Sequence, residues 1–411
     1  MSTPHKNIVI LGGSFGGISA AHYVLKHVIP QLPDQETHQV ILVSPSATAI
    51  CRPGCPRAMI ADDLIAQDKF FINIPKSFEQ YPGEHFRFVH GTATRVDHDS
   101  RDVTIDLVDG NVETIDYHAL VIATGASTRS PLITLLRDDE FLRQNWASLR
   151  GALPAAKSIV IAGGGPTGVE VAGELAEYLN GRAGWFSCKL ENPKVPVTVV
   201  TSASQILPDM TPGNAAKAED FLARVGVTVI KNTRVESVTP ADAGTETAIA
   251  TKTTVSLDNG ETLEADIYIP AMGAVPNTSF LSESLLASDG RVETNTSTLR
   301  VDRAGPRVYG IGDASSFGKP SVHNITEAIP VLGANIKRDL LLASGKTETE
   351  VGGDKIFKED TRVSQLVPIG QNKGVGMAFG YTLPSSVVWA IKGRDYWASM
   401  LVKIWTGKQW D

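Results

Sequence analysis

The stretch Ile8-Val-Ile-Leu-Gly-Gly-Ser-Phe-Gly-Gly17 decides how this chain is read. Four apolar residues in a row suit a strand buried on both faces of a parallel sheet. The glycines behind it permit a tight turn and a close backbone approach. The helix expected from Phe15 to about Val28 would then offer free N–H groups and the positive end of its dipole to a phosphate. Strand, glycine turn and helix in that order are the mechanics of a dinucleotide-binding βαβ unit. The same pattern also occurs in α/β proteins with no such ligand, so the rest of the chain must decide.

It decides by repetition. Lys157-Ser-Ile-Val-Ile-Ala-Gly-Gly-Gly-Pro-Thr-Gly168 has the same plan, with Gly163 standing 151 positions after Gly12. Each copy leads to a second apolar strand, Gln39–Val43 and Val195–Val200. Alternating stretches follow, with tight-turn dipeptides Asp109-Gly110 and Asn259-Gly260. Each block closes on an apolar strand running into glycine, Tyr117 to Ala126 and Asp266 to Ala274. Beyond Pro276 comes a further strand, Arg307-Val-Tyr-Gly-Ile-Gly-Asp-Ala314, then a helix expected over Ile325 to Ala343 and a polar linker, Gly345 to Asp360. The fold class is therefore α/β: two Rossmann-like dinucleotide-binding domains, the first interrupted by the second, plus a small C-terminal α+β region. The boundaries expected are 1–130 and 276–345 for the interrupted domain, 131–275 for the inserted one and 346–411 for the C-terminal region.

Bulk properties agree with this plan. A chain of 411 residues exceeds what one core usually serves. A net charge of −7 argues against nucleic acid as a partner, since phosphate binding needs a basic face. Three cysteines, Cys51, Cys55 and Cys188, form no disulfide framework and suit a reducing compartment. No run of 18 apolar residues spans a membrane, and the first strand begins too early for a removable leader, so a cytoplasmic location is expected. No metal site is expected.

With both glycine turns and Gly312-Asp313 in hand, residues 7 to 400 resemble the two-dinucleotide-binding-domain flavoproteins of the pyridine nucleotide-disulfide oxidoreductase superfamily. The nearer resemblance is to the branch of apoptosis-inducing-factor-like oxidoreductases, ferroptosis-suppressor-type quinone reductases and type II NADH dehydrogenases. The resemblance implies FAD on the first turn, at Gly12, Gly13, Ser14, Gly16 and Gly17, with Ser44 at the ribose. It puts Arg52, Ala123, Thr124 and Gly125 beside the cofactor and lets Gly312 and Asp313 close the site, Asp313 accepting hydrogen bonds from a flavin-side hydroxyl. Backbone N–H groups near Thr326 would face the reduced flavin. NAD(P)H would lie on Gly163, Gly165 and Gly168, with Thr201 at the ribose and Gly273 at the far strand end. Glu170 matches the family glutamate near the nicotinamide, and Lys319 and His323 are candidate proton donors.

Two departures stand out. Ser14 replaces the middle glycine of the first turn, and Ser44 replaces the acidic residue that ordinarily grips the ribose. The second site ends its strand in Thr201-Ser202, with neither an acid to favour NADH nor an arginine to favour NADPH, so tolerance of both is expected.

The implied reaction takes a hydride from nicotinamide to flavin and passes electrons to a small quinone-like acceptor. Three other readings stay open: a disulfide reductase using Cys51 and Cys55, a specialised biosynthetic flavin oxidase, and a low-turnover regulatory protein holding both cofactors. The C-terminal segment carries Trp389, Trp397, Trp405 and Trp410 among basic residues. It reads either as an interfacial membrane helix over 385–411, giving a peripheral location, or as aromatic packing or the seam of a homodimer. The chain is expected as a monomer or homodimer.

Overall fold

The structure, a computed structural model, describes residues 5–184 and 186–411. Its first sheet has seven strands, in spatial order Val308–Gly310, Ala119–Ile122, Lys6–Leu11, His38–Ser44, Phe86–Asp97, Asp102–Leu107 and Val112–Asp116. The first five run parallel, and the last two fold back as the expected meander. Alternation of side chains explains the two cores on its faces. Ile8 and Ile10 point into one, with the helix Phe15–Tyr23 and the long helix Val322–Ala343; Val9 and Leu11 point into the other, under the meander.

The inserted block builds a second sheet in the same order. Its parallel strands are Val227–Ile230, Val197–Val200, Ile159–Ala162 and Ile267–Pro270. Here the meander, Val235–Thr239, Thr253–Leu257 and Thr262–Ala265, forms a sheet of its own. The reason lies in the connecting strand. Phe86–Asp97 runs unbroken through both halves of the first sheet, whereas Lys231–Arg234 interrupts the second, with Asn232 at a φ of 54°. Val308–Gly310 pairs with Ala119–Ile122, so the chain returns to its first sheet after the inserted block.

Three local expectations need correction. The long helix starts at Val322, not Ile325, because the Ser321 hydroxyl caps it by accepting the Asn324 N–H at 3.0 Å. Residues 345–360 are more than a linker: they carry a helical turn, Glu348–Val351, closed by a capping box, and bury Phe357 against Phe317. Finally, 385–411 is not one amphipathic helix. It breaks into Ser385–Val388, a wide turn Trp389–Gly393, the helix Ala398–Trp405 and a last turn Lys408–Trp410. Gly393 and two successive left-handed residues, Tyr396 and Trp397, interrupt it. Tyr396, Trp405 and Trp410 are buried, Trp405 tilted against Phe15 at 4.6 Å and Trp410 edge-on to Tyr23 at 5.8 Å. Trp405 and Trp410 cover the first domain.

Candidate cofactor and active site

The two glycine turns are copies of one another in their contacts. Gly12 has a φ of 118° and Gly163 one of 126°, a region L side chains avoid. A β-carbon on Gly12 would strike the Ala123 carbonyl, and one on Gly163 would fall 2.6 Å from the Ala271 carbonyl oxygen. Gly17 and Gly168 each lie against the carbonyl of the first glycine of their turn, which lets the helix start directly under the strand. A β-carbon on Gly13 would strike the Ser44 side chain, and one on Gly164 would fall 2.8 Å from that of Thr201. The Ser44 and Thr201 hydroxyls each accept a backbone N–H two residues on, from Ser46 and Ala203, both at 3.3 Å. The position that Ser14 occupies in the first turn belongs to Gly165 in the second, where a β-carbon would meet nothing within 4 Å. Ser14 is accordingly exposed, and its hydroxyl makes no capping bond. These cradles fit two dinucleotides, and the serine faces open space instead of closing its turn.

A cavity of about 1170 Å³ opens over the first turn. Gly12, Gly13, Ser14, Gly16, Ser44, Arg52, Ala123, Thr124, Gly125, Gly312, Asp313, Lys319, His323 and Glu170 all line it. Its wall does not include Gly17, Gly163, Gly165, Gly168, Thr201, Gly273 or Thr326. Gly17 is packed under the turn, and the second-turn residues belong to the inserted block's own cradle, from which Pro166, Thr167 and Glu170 reach the cavity, as does Asp209 of the neighbouring loop. Thr326 is displaced for a clear reason. It lies in the second turn of its helix, and its hydroxyl donates to the Val322 carbonyl at 2.9 Å. The helix end that faces the cavity is formed by Ser321 to Ile325 instead.

Several groups are already engaged. Arg52 donates to the Ala126 carbonyl at 3.0 Å and stands 3.6 Å from the Asp313 carboxylate, both half-buried. Thr124 donates to the Asn277 carbonyl at 2.6 Å, and the Asn277 amide returns a bond to the Thr124 carbonyl at 2.9 Å. Asn277 thus ties the strand end at the cofactor to the segment that re-enters the first domain. His323 is exposed, edge-on to Phe379 at 6.4 Å. Lys319 is exposed and bonds Glu359 through its backbone N–H.

Glu170 lies one residue beyond the first turn of its helix, so the helix dipole is not its main partner. That partner is Lys392, whose ammonium donates to Glu170 Oε1 at 2.6 Å and to the Leu366 carbonyl at 3.0 Å. Both side chains are buried, and both reach the cavity wall. Burial pushes the Glu170 carboxyl up to about 7, with Lys392 pulling the other way. Sequence reasoning missed Lys392. Its only signal was a lysine within an aromatic stretch, which reads as a surface charge until the fold carries it inward.

Cys51 and Cys55 are buried free thiols outside the cavity wall. Burial drives Cys51 up to about 12 and Cys55 further in the same direction. Such thiols are poor nucleophiles, which weighs against a disulfide reductase built on them.

Two glycine cradles and one cavity shared by both domains define a protein of the flavin- and nicotinamide-dependent oxidoreductase class. Residues 6–330 match the family model described as pyridine nucleotide-disulphide oxidoreductase, and the chain belongs to that family. It is an oxidoreductase using FAD and NAD(P)H. Oxidoreductase phnG of Penicillium herquei is 57% identical over 409 residues, covering 100% of this chain and 98% of that protein. Ferroptosis suppressor protein 1 of Xenopus tropicalis is 26% identical over 404 residues, covering 95% of this chain and 94% of that one. Among solved structures, the sulfide:quinone oxidoreductase of Aquifex aeolicus shares the fold with a TM-score of 0.71 at 17% identity, over 98% of this chain and 92% of that one. No helix among the described residues is long and apolar enough to cross a membrane.

Proposed function

We propose that the protein is an FAD-dependent NAD(P)H oxidoreductase that passes electrons to a small quinone-like acceptor. One observation carries this reading: a single cavity is walled by the first glycine turn, by the start of the helix below the second, and by Lys392 and Trp397 of the C-terminal region. FAD, when bound, supplies the hydride acceptor and the one- or two-electron donor. The chain supplies position and charge. Gly12 to Gly17 and the helix N-terminus behind them would hold the FAD phosphates, and Asp313 would accept a hydrogen bond from a flavin-side hydroxyl. The Glu170–Lys392 pair keeps a proton and a compensated charge at the wall nearest the second dinucleotide. The name of the Aquifex aeolicus structure, a sulfide:quinone oxidoreductase, supports the acceptor class. Thr201 and its neighbours support use of both nicotinamide cofactors.

The decisive experiment is anaerobic. The purified protein should show an oxidised-flavin band near 450 nm, roughly where flavins absorb, bleach with NADH and with NADPH, and recover its colour with a soluble quinone. A colourless protein, or bleaching without recovery, defeats the reading. Recovery only with some other small metabolite would favour the specialised oxidase. Peripheral membrane contact now rests on a few exposed apolar residues, Val387, Trp389, Ile391 and Met400. Co-sedimentation with anionic vesicles, compared with a variant carrying serine at Trp389, Ile391 and Met400, tests it; equal behaviour removes it.

A further inference from the structure

Below the Glu170–Lys392 pair lies a second buried ion pair that the reaction as described does not use. It rests on the reading that Glu170 and Lys392 face the reacting ligands, and it concerns what holds them there. Tyr396 and Trp397 have φ values of 52° and 66°. Two successive non-glycine residues in that region are strained and persist only where the surroundings impose them. The surroundings here are Arg57 and Glu174. Arg57 Nε and Nη2 donate to the two Glu174 carboxylate oxygens at 3.0 and 2.7 Å. Its remaining nitrogen, Nη1, donates to the carbonyls of Gly393 and Arg394 at 2.7 and 3.2 Å. The Tyr396 hydroxyl donates to Glu174 Oε1 at 3.0 Å, and its ring lies 4.8 Å from the guanidinium carbon. Arg57 and Glu174 are both nearly inaccessible, with side chains 4% and 2% exposed.

The three partners come from three parts of the chain. Arg57 belongs to the short helix Cys55–Ala58, Glu174 to the helix under the second glycine turn, and the strained turn to the C-terminal region. Glu174 stands one turn beyond Glu170 on the same helix face. Lys392 enters the strained turn and Trp397 leaves it, the Lys392 ammonium 4.9 Å from the Trp397 ring and both side chains on the cavity wall. We propose that Arg57 is a positioning residue: its fork onto Glu174, Gly393 and Arg394 fixes the left-handed turn that sets Lys392 and Trp397 against Glu170. A planar guanidinium can hold both carboxylate oxygens and two carbonyls at once; an ammonium, with three donors on a single nitrogen and no fork, cannot hold all four.

The test uses the full-length flavin-loaded protein with Arg57→Lys, which keeps the charge and loses the fork. We expect retained flavin, KM for NAD(P)H within about threefold, and flavin reduction slowed about tenfold or more, as for a catalytic group misplaced by a fraction of an ångström. Amide exchange over 392–397 should accelerate about tenfold while that of the helix 166–180 holds. A Lys392→Met control should slow reduction and leave exchange of the turn slow. Reduction within twofold of the parent, or unchanged exchange at 392–397, overturns the proposal. Should Lys392→Met reduce normally, the reading of the Glu170–Lys392 pair fails, and Arg57 is then judged on exchange alone. If Arg57→Lys does not fold, Tyr396→Phe replaces it: exchange there must rise several-fold, and an unmoved turn overturns the proposal equally.

Discussion

Lys392 Nζ lies 2.6 Å from Glu170 Oε1, although 222 positions separate the two residues in the chain. The contact joins the inserted nicotinamide-type block to the C-terminal region at the wall of the cavity. A buried pair of this kind contributes little net stability, because desolvation offsets the attraction, but breaking it leaves an uncompensated charge. Its placement beside a ligand cavity is therefore best explained by what it does there.

Because the Glu170 carboxyl is raised to about 7, its ionisation falls inside the working pH range. The rate of anaerobic flavin reduction should show an inflection near that pH in the parent, and Glu170→Gln should abolish the inflection and lower the plateau by about 10²-fold. Glu170→Gln also strands Lys392, costing about 3–5 kcal/mol of stability. The double change Glu170→Gln with Lys392→Met should recover most of that stability and none of the rate. A double variant as unstable as the single one, or an inflection that survives, would count against the pair as described.

The two cradles predict separable failures. Alanine at Gly17 would drive its β-carbon into the Gly12 carbonyl, and alanine at Gly168 would do the same at Gly163. Each should cost about 2–3 kcal/mol through displaced backbone. Gly17→Ala should emerge with flavin occupancy reduced about tenfold. Gly168→Ala should stay yellow and bleach with dithionite, yet respond to NAD(P)H only at concentrations about tenfold higher, each tenfold being about 1.4 kcal/mol of lost binding. Flavin content and the NAD(P)H dependence of bleaching, measured on both variants, check the assignment; a reversed pattern would interchange the sites.

Much of this was legible in the residues. Gly12 to Gly17 and Gly163 to Gly168 specify both turns because only glycine tolerates those contacts, and such constraints are local. Gly125 and Asp313, each at the end of a strand that runs into glycine, line the same cavity as the first turn. What sequence could not give was long-range. Lys392 and Arg57 carry no mark that distinguishes them from surface cations, and their roles appear only when three parts of the chain meet. Thr326 falls behind the cavity because the Ser321 cap starts the helix three residues earlier than its apolar pattern suggests. The C-terminal tryptophans suited a membrane face and a packed face equally by composition; burial of Trp405 and Trp410 decides for packing at those two positions.

The cysteines give a count. Cys188 is exposed, whereas Cys51 and Cys55 are fully buried and hold their thiols protonated. An aromatic disulfide reagent should therefore modify one thiol in the native protein and three after denaturation. Replacing Cys51 and Cys55 together with serine should leave quinone-dependent turnover within about twofold, at a stability cost of roughly 1–3 kcal/mol per buried hydroxyl left unpaired. Three rapidly reacting native thiols, or loss of turnover in a variant that still folds, would restore a redox role to the pair.

The C-terminus is fastened to the first domain through His22, and this predicts a pH dependence of stability. The His22 ring stacks on Phe78 at 4.1 Å. Its Nε2 lies 3.0 Å from the Trp405 carbonyl, so that nitrogen donates, and Nδ1 then accepts from the Tyr81 hydroxyl at 2.8 Å. Lys26 reinforces the latch by donating to the Gly407 carbonyl at 2.9 Å and pairing with Asp411, and His27 bonds the Trp410 carbonyl at 2.6 Å. Burial, against the pull of the Trp405 bond, lowers His22 from 6.5 to about 4. A histidine depressed on folding gives stability that is fully present above its unfolded value and is lost as pH falls towards the folded one. Between pH 6.5 and 4 the unfolded chain holds a proton that the native chain refuses, so stability should decline across that window by about 3 kcal/mol from this group. His118, also lowered to about 4, adds a background slope, so the comparison must be with a variant. Urea unfolding of the parent and of His22→Gln, whose amide can still donate to Trp405, should show a gap at pH 7 that closes by about that amount at pH 4. Parallel curves over the whole range would mean that His22 does not carry the latch's pH response.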